Sequence, residues 1–119
     1  MTIKRHEITD HINLLPNPLI GPNDDRIGAR FPDMGEAYDK NLIRKALLIA
    51  EENNIRIHKG IYLATSGPTF ETPAEYKYFR IIGADAVGMS TVPEVLTAHH
   101  QRNKILAFSI ITAAPCWTR

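Results

Sequence analysis

Cysteine is nearly absent from this sequence: Cys116 is the single one in 119 residues. That excludes an intrachain disulfide and a metal site built on cysteine pairs, and cytoplasm is the expected compartment. A dominant charge is absent too. Fourteen Lys and Arg stand against 13 Asp and Glu, for a net charge of +1, without the basic stripe of a nucleic-acid binder. No apolar run approaches the ~20 residues of a membrane-spanning helix. The opening residues, MTIKRHEITDHI, lack the apolar stretch of a signal peptide. Five histidines are present, but His99 and His100 are adjacent. On a helix they point about 100° apart and suit a shared ion poorly. What remains is ordinary: 44% hydrophobic residues and enough length for one domain with a core.

The first 35 residues read as loop. ITDHINLLPNPLIGPNDDRIGARFPDMG holds four prolines, three glycines and many Asn and Asp, a turn composition. It is longer than most connections, and loops of this length tend to be either functional or unsupported. Its apolar residues, among them Leu14, Leu15, Ile20 and Phe31, predict that it packs onto something. From Glu36 the pattern turns helical, with Leu42, Ile43, Ala46, Leu47 and Ala50 at helical spacing and an end near Asn53 and Asn54. IRIHKGIYLATSG is a strand centred on 61–65. A helix is predicted over 73–82, a short strand in ADAVGMS, and a helix in TVPEVLTAHHQR with a threonine start at Thr91 and Glu94. KILAFSIITAA is the last strand, apolar enough to be covered on both faces.

The order after residue 35 is therefore α-β-α-β-α-β, which predicts an α/β fold with a mixed or parallel central sheet flanked by crossover helices. Ligands bind such sheets off the carboxyl ends of the strands. Ser66 to Glu71, Met89 to Thr91 and Ile111 to Ala113 are expected there. The first two also lead into helix N-termini, which favour anions. Glu71, Met89 and Ser90 are thus expected to converge on one pocket.

The stretch GPTFETPAE contains two glutamates with different prospects. Thr72, Pro73, Ala74 and Glu75 form a helix start: Thr72 caps, Pro73 suits the first helical position, and Glu75 reaches back to the cap backbone. Tyr76, Tyr78, Phe79 and Ile82 then mark one buried helical face, so Glu75 and the two tyrosines read as structural. Glu71 has no such duty. It stands beside Phe70 at a strand-to-helix turn, where a carboxylate and an aromatic can hold a flat polar ligand. On residue type alone, a solvated loop glutamate is the commoner case.

The run SGPTFETPAEYKYFRIIGADAVGMSTVPEVLTAHH, with DHINLLPNPLIGPNDDRIGARFPDMGEAYD before it, resembles the trimeric purine nucleoside phosphorylases. The likeness covers almost the whole chain to about Thr112. It implies phosphorolysis in purine salvage: a purine nucleoside and orthophosphate give a free purine and a pentose 1-phosphate, in a pentosyltransferase reaction without metal or organic cofactor. It further implies that Glu71, the one catalytic assignment, accepts hydrogen bonds from the purine, and that Phe70 packs on the base. Met89 would lie against the sugar and Ser90 would bind phosphate. Phe31 would cross into the neighbouring subunit of a homotrimer to cover the sugar; packing within its own subunit is the alternative. A carboxylate is acceptor-only and selects a purine edge that donates. Related methylthioadenosine phosphorylases lack this glutamate, so 6-oxopurine nucleosides are the expected substrates.

The chain also departs from the pattern. The family's phosphate-binding serine loop, its phosphate-holding Arg and His, and its first strands would precede Met1. Ala113 replaces an Asn that donates to the purine, and the tail 113–119 looks unrelated. The sugar-binding His is absent, and His99 and His100 are not substitutes. Residues 1–119 are thus expected to be a partial phosphorylase domain: a loop-rich segment 1–35, an alternating segment 36–112 and a divergent tail. Its isolated activity is expected to be very low, and open sheet edges are expected to favour association. Three alternatives stand beside this reading: a nucleobase-binding or oligomerising remnant, a methylthioadenosine-type phosphorylase, and a generic phosphate-binding α/β domain.

Overall fold

The computed structural model describes residues 4–112; Ala113, Cys116 and the rest of the tail lie outside the described residues. Seven elements follow in order: β1 (Lys4–Asn13), α1 (Lys40–Glu52), β2 (His58–Ala64), α2 (Pro73–Ile81), β3 (Ala86–Gly88), α3 (Val92–His100) and β4 (Phe108–Ile111). One four-stranded sheet has the order β3-β2-β1-β4. β1, β2 and β3 are parallel, and β4 is antiparallel to β1. The sheet is therefore mixed. Among the described residues, no helix is long and apolar enough to cross a membrane.

Two sequence expectations need correction. Residues 4–13 are not loop but an inner strand of the sheet. The prolines and glycines of the opening segment all lie beyond Asn13, so nothing interrupts β1, whose Ile8 is only 1% exposed. Loop composition holds from Leu14 to Asp39, where no helix or strand forms. The second correction concerns β4. Its Ile111 pairs with Lys4, the first residue of β1, whereas Asn13 pairs with Ala64 at the last. Nine strand steps separate those ends, about 30 Å. Ile111 and Thr112 thus lie at the far end of the sheet from Ser66 and Met89. Nor is β4 covered on both faces: Phe108 and Ile110 are exposed, alternating with half-buried Ser109 and Ile111.

The core lies where α3 and the end of the long loop meet the sheet. Ile8, Tyr62, Ala64 and Ala86 from the strands pack with Val92, Val95 and Leu96 of α3 and with Tyr38 and Ile105. Helix α1 starts later than the Glu36 expected from its periodicity. Asp39 caps it, accepting from Leu42 N at 2.8 Å. Helix α2 buries Phe79 alone, while Tyr78, Ile81 and Ile82 are exposed. The expected apolar face of 76–82 is therefore only one residue wide.

The long loop is held down by the two histidines of α3. His100 Nε2 lies 3.0 Å from the Ala29 carbonyl and 3.1 Å from Asn23 Oδ1. Both are acceptors, so this nitrogen carries the proton. A side chain on Gly28 would overlap the His100 backbone, so glycine is required for this close approach. His99 Nε2 reaches the Asp33 carbonyl at 2.6 Å, and Asp39 N donates to Ile105 O at 2.9 Å. In the DHIN motif, Asn13 Oδ1 accepts from Leu15 N at 2.9 Å, and His11 Nδ1 lies 2.9 Å from Tyr38 Oη. Burial pushes the His11 pKa down and the Tyr38 pKa up. These contacts make His99 and His100 anchors of the long loop.

Candidate active site

The parallel strands β1, β2 and β3 end level with one another. Asn13 pairs with Ala64, and Ala64 with Gly88. Two further backbone bonds extend the ladder past the strand ends: Leu14 N to Ala64 O and Thr65 N to Gly88 O, both 2.9 Å. The 65–71 and 88–91 segments therefore leave the sheet side by side. Met89 brings them into contact: its sulfur lies over Gly67, where an added Cβ would be 2.7 Å away.

Tyr62 supports the second segment from below. Its hydroxyl fills the space where a Cβ of Gly88 would stand and lies 3.4 Å from the Ser90 amide. Ser90 Oγ is 3.3 Å from Thr91 Oγ1, which sets two hydroxyls at the start of α3. Thr91 does not cap that helix as the sequence suggested, because its side chain makes no cap hydrogen bond. Its φ of 72° and ψ of −54°, with Val92 N donating to Ser90 O at 2.8 Å, form a positive-φ γ-turn, a rare and strained conformation that is tolerated mostly where the surroundings enforce it, often at functional sites.

The two glutamates of GPTFETPAE separate as their positions require. Glu75 closes a capping box: its Oε1 accepts from Thr72 N at 2.9 Å, while Thr72 Oγ1 accepts from Glu75 N at 3.2 Å. The Thr72 backbone N–H is the main cause of the lowered Glu75 pKa. Glu71 is half-buried, and its Oε2 accepts from Tyr76 Oη at 2.9 Å. Sequence reasoning left Tyr76 as a packing residue. The signal that identifies it is position: Glu71 directly precedes the cap and Tyr76 is the fourth helical residue, two places whose side chains meet at helix starts.

Phe70 is 86% exposed and lies outside the core of the described residues. Phe31 is exposed to the same extent, with the Arg30 guanidinium 5.2 Å from its ring centre. The structure thus joins the loops bearing Phe70, Glu71, Met89 and Ser90 at one end of the sheet, but their side chains do not bond one another. Ile111 is excluded from this end. Two cavities lie elsewhere, one of about 340 Å³ bordered by Asp10, Tyr38 and Lys59 and one of about 390 Å³ bordered by Asp33, His99 and Arg102. Among the described residues, no three His, Cys, Asp or Glu gather as a metal site would need.

Residues 8–119 match the phosphorylase superfamily. The chain is 56% identical over 108 residues to purine nucleoside phosphorylase 1 of Bacillus subtilis (strain 168), covering 90% of this chain and 40% of that protein. It is 49% identical over 111 residues to the purine nucleoside phosphorylase of Rattus norvegicus, covering 88% and 38%. Among solved structures, isoform 2 of the Schistosoma mansoni purine nucleoside phosphorylase, in complex with cytosine and ribose-1-phosphate, superposes with a TM-score of 0.88 at 46% identity. That match covers 91% of this chain and 40% of that one. The chain thus spans about two-fifths of the length of the relatives it matches. With nearly its whole length matched in both sequence and fold, the chain belongs to the phosphorylase superfamily.

Proposed function

We propose that this chain carries the purine-recognition part of a purine nucleoside phosphorylase. The reaction joins orthophosphate to C1′ of a purine nucleoside and releases the purine. The observation that carries the reading is the pairing of the 65–71 and 88–91 segments beyond the ends of parallel strands, with Met89 packed over Gly67. That arrangement puts an aromatic, a carboxylate and two hydroxyls at one sheet end, where α/β folds bind ligands.

Each residue type suits a step. Glu71 accepts from the N1–H of a 6-oxopurine, and Phe70 offers a face to the base. Met89 borders the sugar. Ser90, at the start of α3, donates to phosphate oxygens that the helix N-terminus also favours. Phosphate held against the sugar supplies proximity. Cleavage of the glycosidic bond leaves positive charge on the sugar and negative charge on the departing purine. Orthophosphate is a co-substrate, and no organic cofactor enters this chemistry. The exposed Phe31 and Arg30 fit a role across a subunit boundary, in a cytoplasmic homo-oligomer of trimeric type.

The experiment is a calorimetric titration of the 119-residue chain with hypoxanthine and with adenine, repeated on Glu71→Ala. Binding of hypoxanthine over adenine, lost in Glu71→Ala, is the expected result. Preference for adenine would point to a methylthioadenosine-type site. Affinity indifferent to Glu71 would contradict the base-site assignment.

A further inference from the structure

At a helix start, the residue before the cap and the fourth helical residue commonly form an apolar pair that fixes how the chain enters the helix. In α2 these places hold Glu71 and Tyr76, around the Thr72 cap. The pair here is polar, with the phenol donating to Glu71 Oε2 at 2.9 Å. The capping box inside it ties Thr72 and Glu75 to each other through two bonds of 2.9 and 3.2 Å. The backbone carrying Glu71 is therefore fixed on the side from which Tyr76 reaches it. A phenylalanine would pack at this half-buried place as well as a tyrosine, so packing does not account for the hydroxyl.

A carboxylate offers two oxygens with about four lone-pair sites between them. A bond to one oxygen sets the plane of the group and leaves the other oxygen to accept from a ligand. We propose that Tyr76 is a positioning residue for base recognition, whose phenol holds the Glu71 carboxylate where it accepts N1–H of a 6-oxopurine. This rests on the functional reading above. Fixing the carboxylate acts on selectivity as well as affinity. Hypoxanthine donates from N1, whereas adenine presents an N1 lone pair to the same oxygen. A carboxylate that cannot turn away penalises adenine and holds its geometry ready for hypoxanthine.

The test compares the wild-type chain with Tyr76→Phe, which removes only the hydroxyl, and with Glu71→Ala. Each is titrated with hypoxanthine and adenine. Ordering one free side chain on binding weakens affinity by about two- to tenfold. Tyr76→Phe is therefore expected to lose that factor for hypoxanthine and none for adenine, with an unchanged melting temperature. In parallel, the 13Cζ resonance of Tyr76 is expected to shift in Glu71→Gln, which reports the hydrogen bond without ligand. Equal loss for both bases, an unchanged hypoxanthine affinity, or an unmoved 13Cζ resonance would overturn the role of Tyr76. The two readings fail separately. If Glu71→Ala binds hypoxanthine like wild type, the base-site reading falls and Tyr76 with it. If Glu71→Ala loses binding and Tyr76→Phe does not, only the role of Tyr76 falls.

Discussion

The Tyr62 hydroxyl occupies the space that a Cβ on Gly88 would need, two residues before the Ser90 amide it also approaches at 3.4 Å. One side chain thus links Gly88, the second glycine of GADAVGMS, to the loop that follows it. Gly88→Ala is expected to push Tyr62 aside and destabilise the chain by about 1–3 kcal/mol, the usual effect of forcing extra atoms into a packed site. Urea denaturation measures the loss. Amide spectra are expected to show Ser90 displaced in the same variant.

Thr72 and Glu71 are neighbours with opposite expected phenotypes. Thr72→Ala removes one half of the capping box and is expected to lower stability by about 1 kcal/mol, with fraying of the start of α2 seen in amide exchange. Glu71→Ala is expected to leave the melting temperature nearly unchanged and to abolish the preference for hypoxanthine. Thermal scans and titrations on the two variants separate the roles.

Glu7 is fully buried on β1, and neither carboxylate oxygen has a hydrogen-bond partner among the described residues. Burial raises its pKa, and the charge of Lys59, its register partner on β2, only partly opposes that. The folded state then holds the Glu7 proton more tightly than the unfolded state does. Stability from this group is full below the ordinary glutamate range and falls as pH rises through the raised value. His6 and His11 act in the opposite sense. Burial is the main cause that lowers both, so their contribution is present above the ordinary histidine range and is lost on acidification. Glu7→Leu is expected to stabilise the chain by about 1–3 kcal/mol at neutral pH. The gain is expected to shrink on acidification toward the ordinary glutamate range. Denaturation curves of both proteins between about pH 4 and 8, a window set by those ordinary ranges, show this as a narrowing difference.

His100 carries the long loop through Asn23 and Ala29. His100→Ala strands both acceptors and is expected to cost about 1–3 kcal/mol. Limited proteolysis is expected to cut first between 20 and 33 in this variant. Cleavage elsewhere would mean that His99 and Asp39 hold the loop alone.

The sequence was most legible where structure is decided locally. The Thr72–Glu75 capping box spans four residues and formed as its spelling required. The β2-α2-β3-α3 order followed from periodicity and turn residues, and with it the adjacency of the Glu71 and Met89 segments. β1 was hidden because its burial comes from neighbours distant in sequence: KRHEITD is polar, and only pairing with β2 and β4 covers it. The direction of β4 was hidden for a related reason. An apolar run fixes that a strand forms, but the path of the chain fixes which way it runs, so Ile111 ended far from the candidate site. Thr91 shows the limit of spelling. Thr-x-x-Glu matches a cap, yet Thr91 adopts a φ of 72° and its hydroxyl meets Ser90 instead. Tyr76 was missed because apolar periodicity and a polar contact use the same residue.

The most direct test of the central claim is an amide chemical-shift titration of the 15N-labelled chain with hypoxanthine. Perturbations confined to 65–71, 76 and 88–91 are expected. Perturbations centred on the Asp10–Lys59 cavity or the His99–Arg102 cavity, with 65–71 unmoved, would contradict the placement of the site at the parallel strand ends.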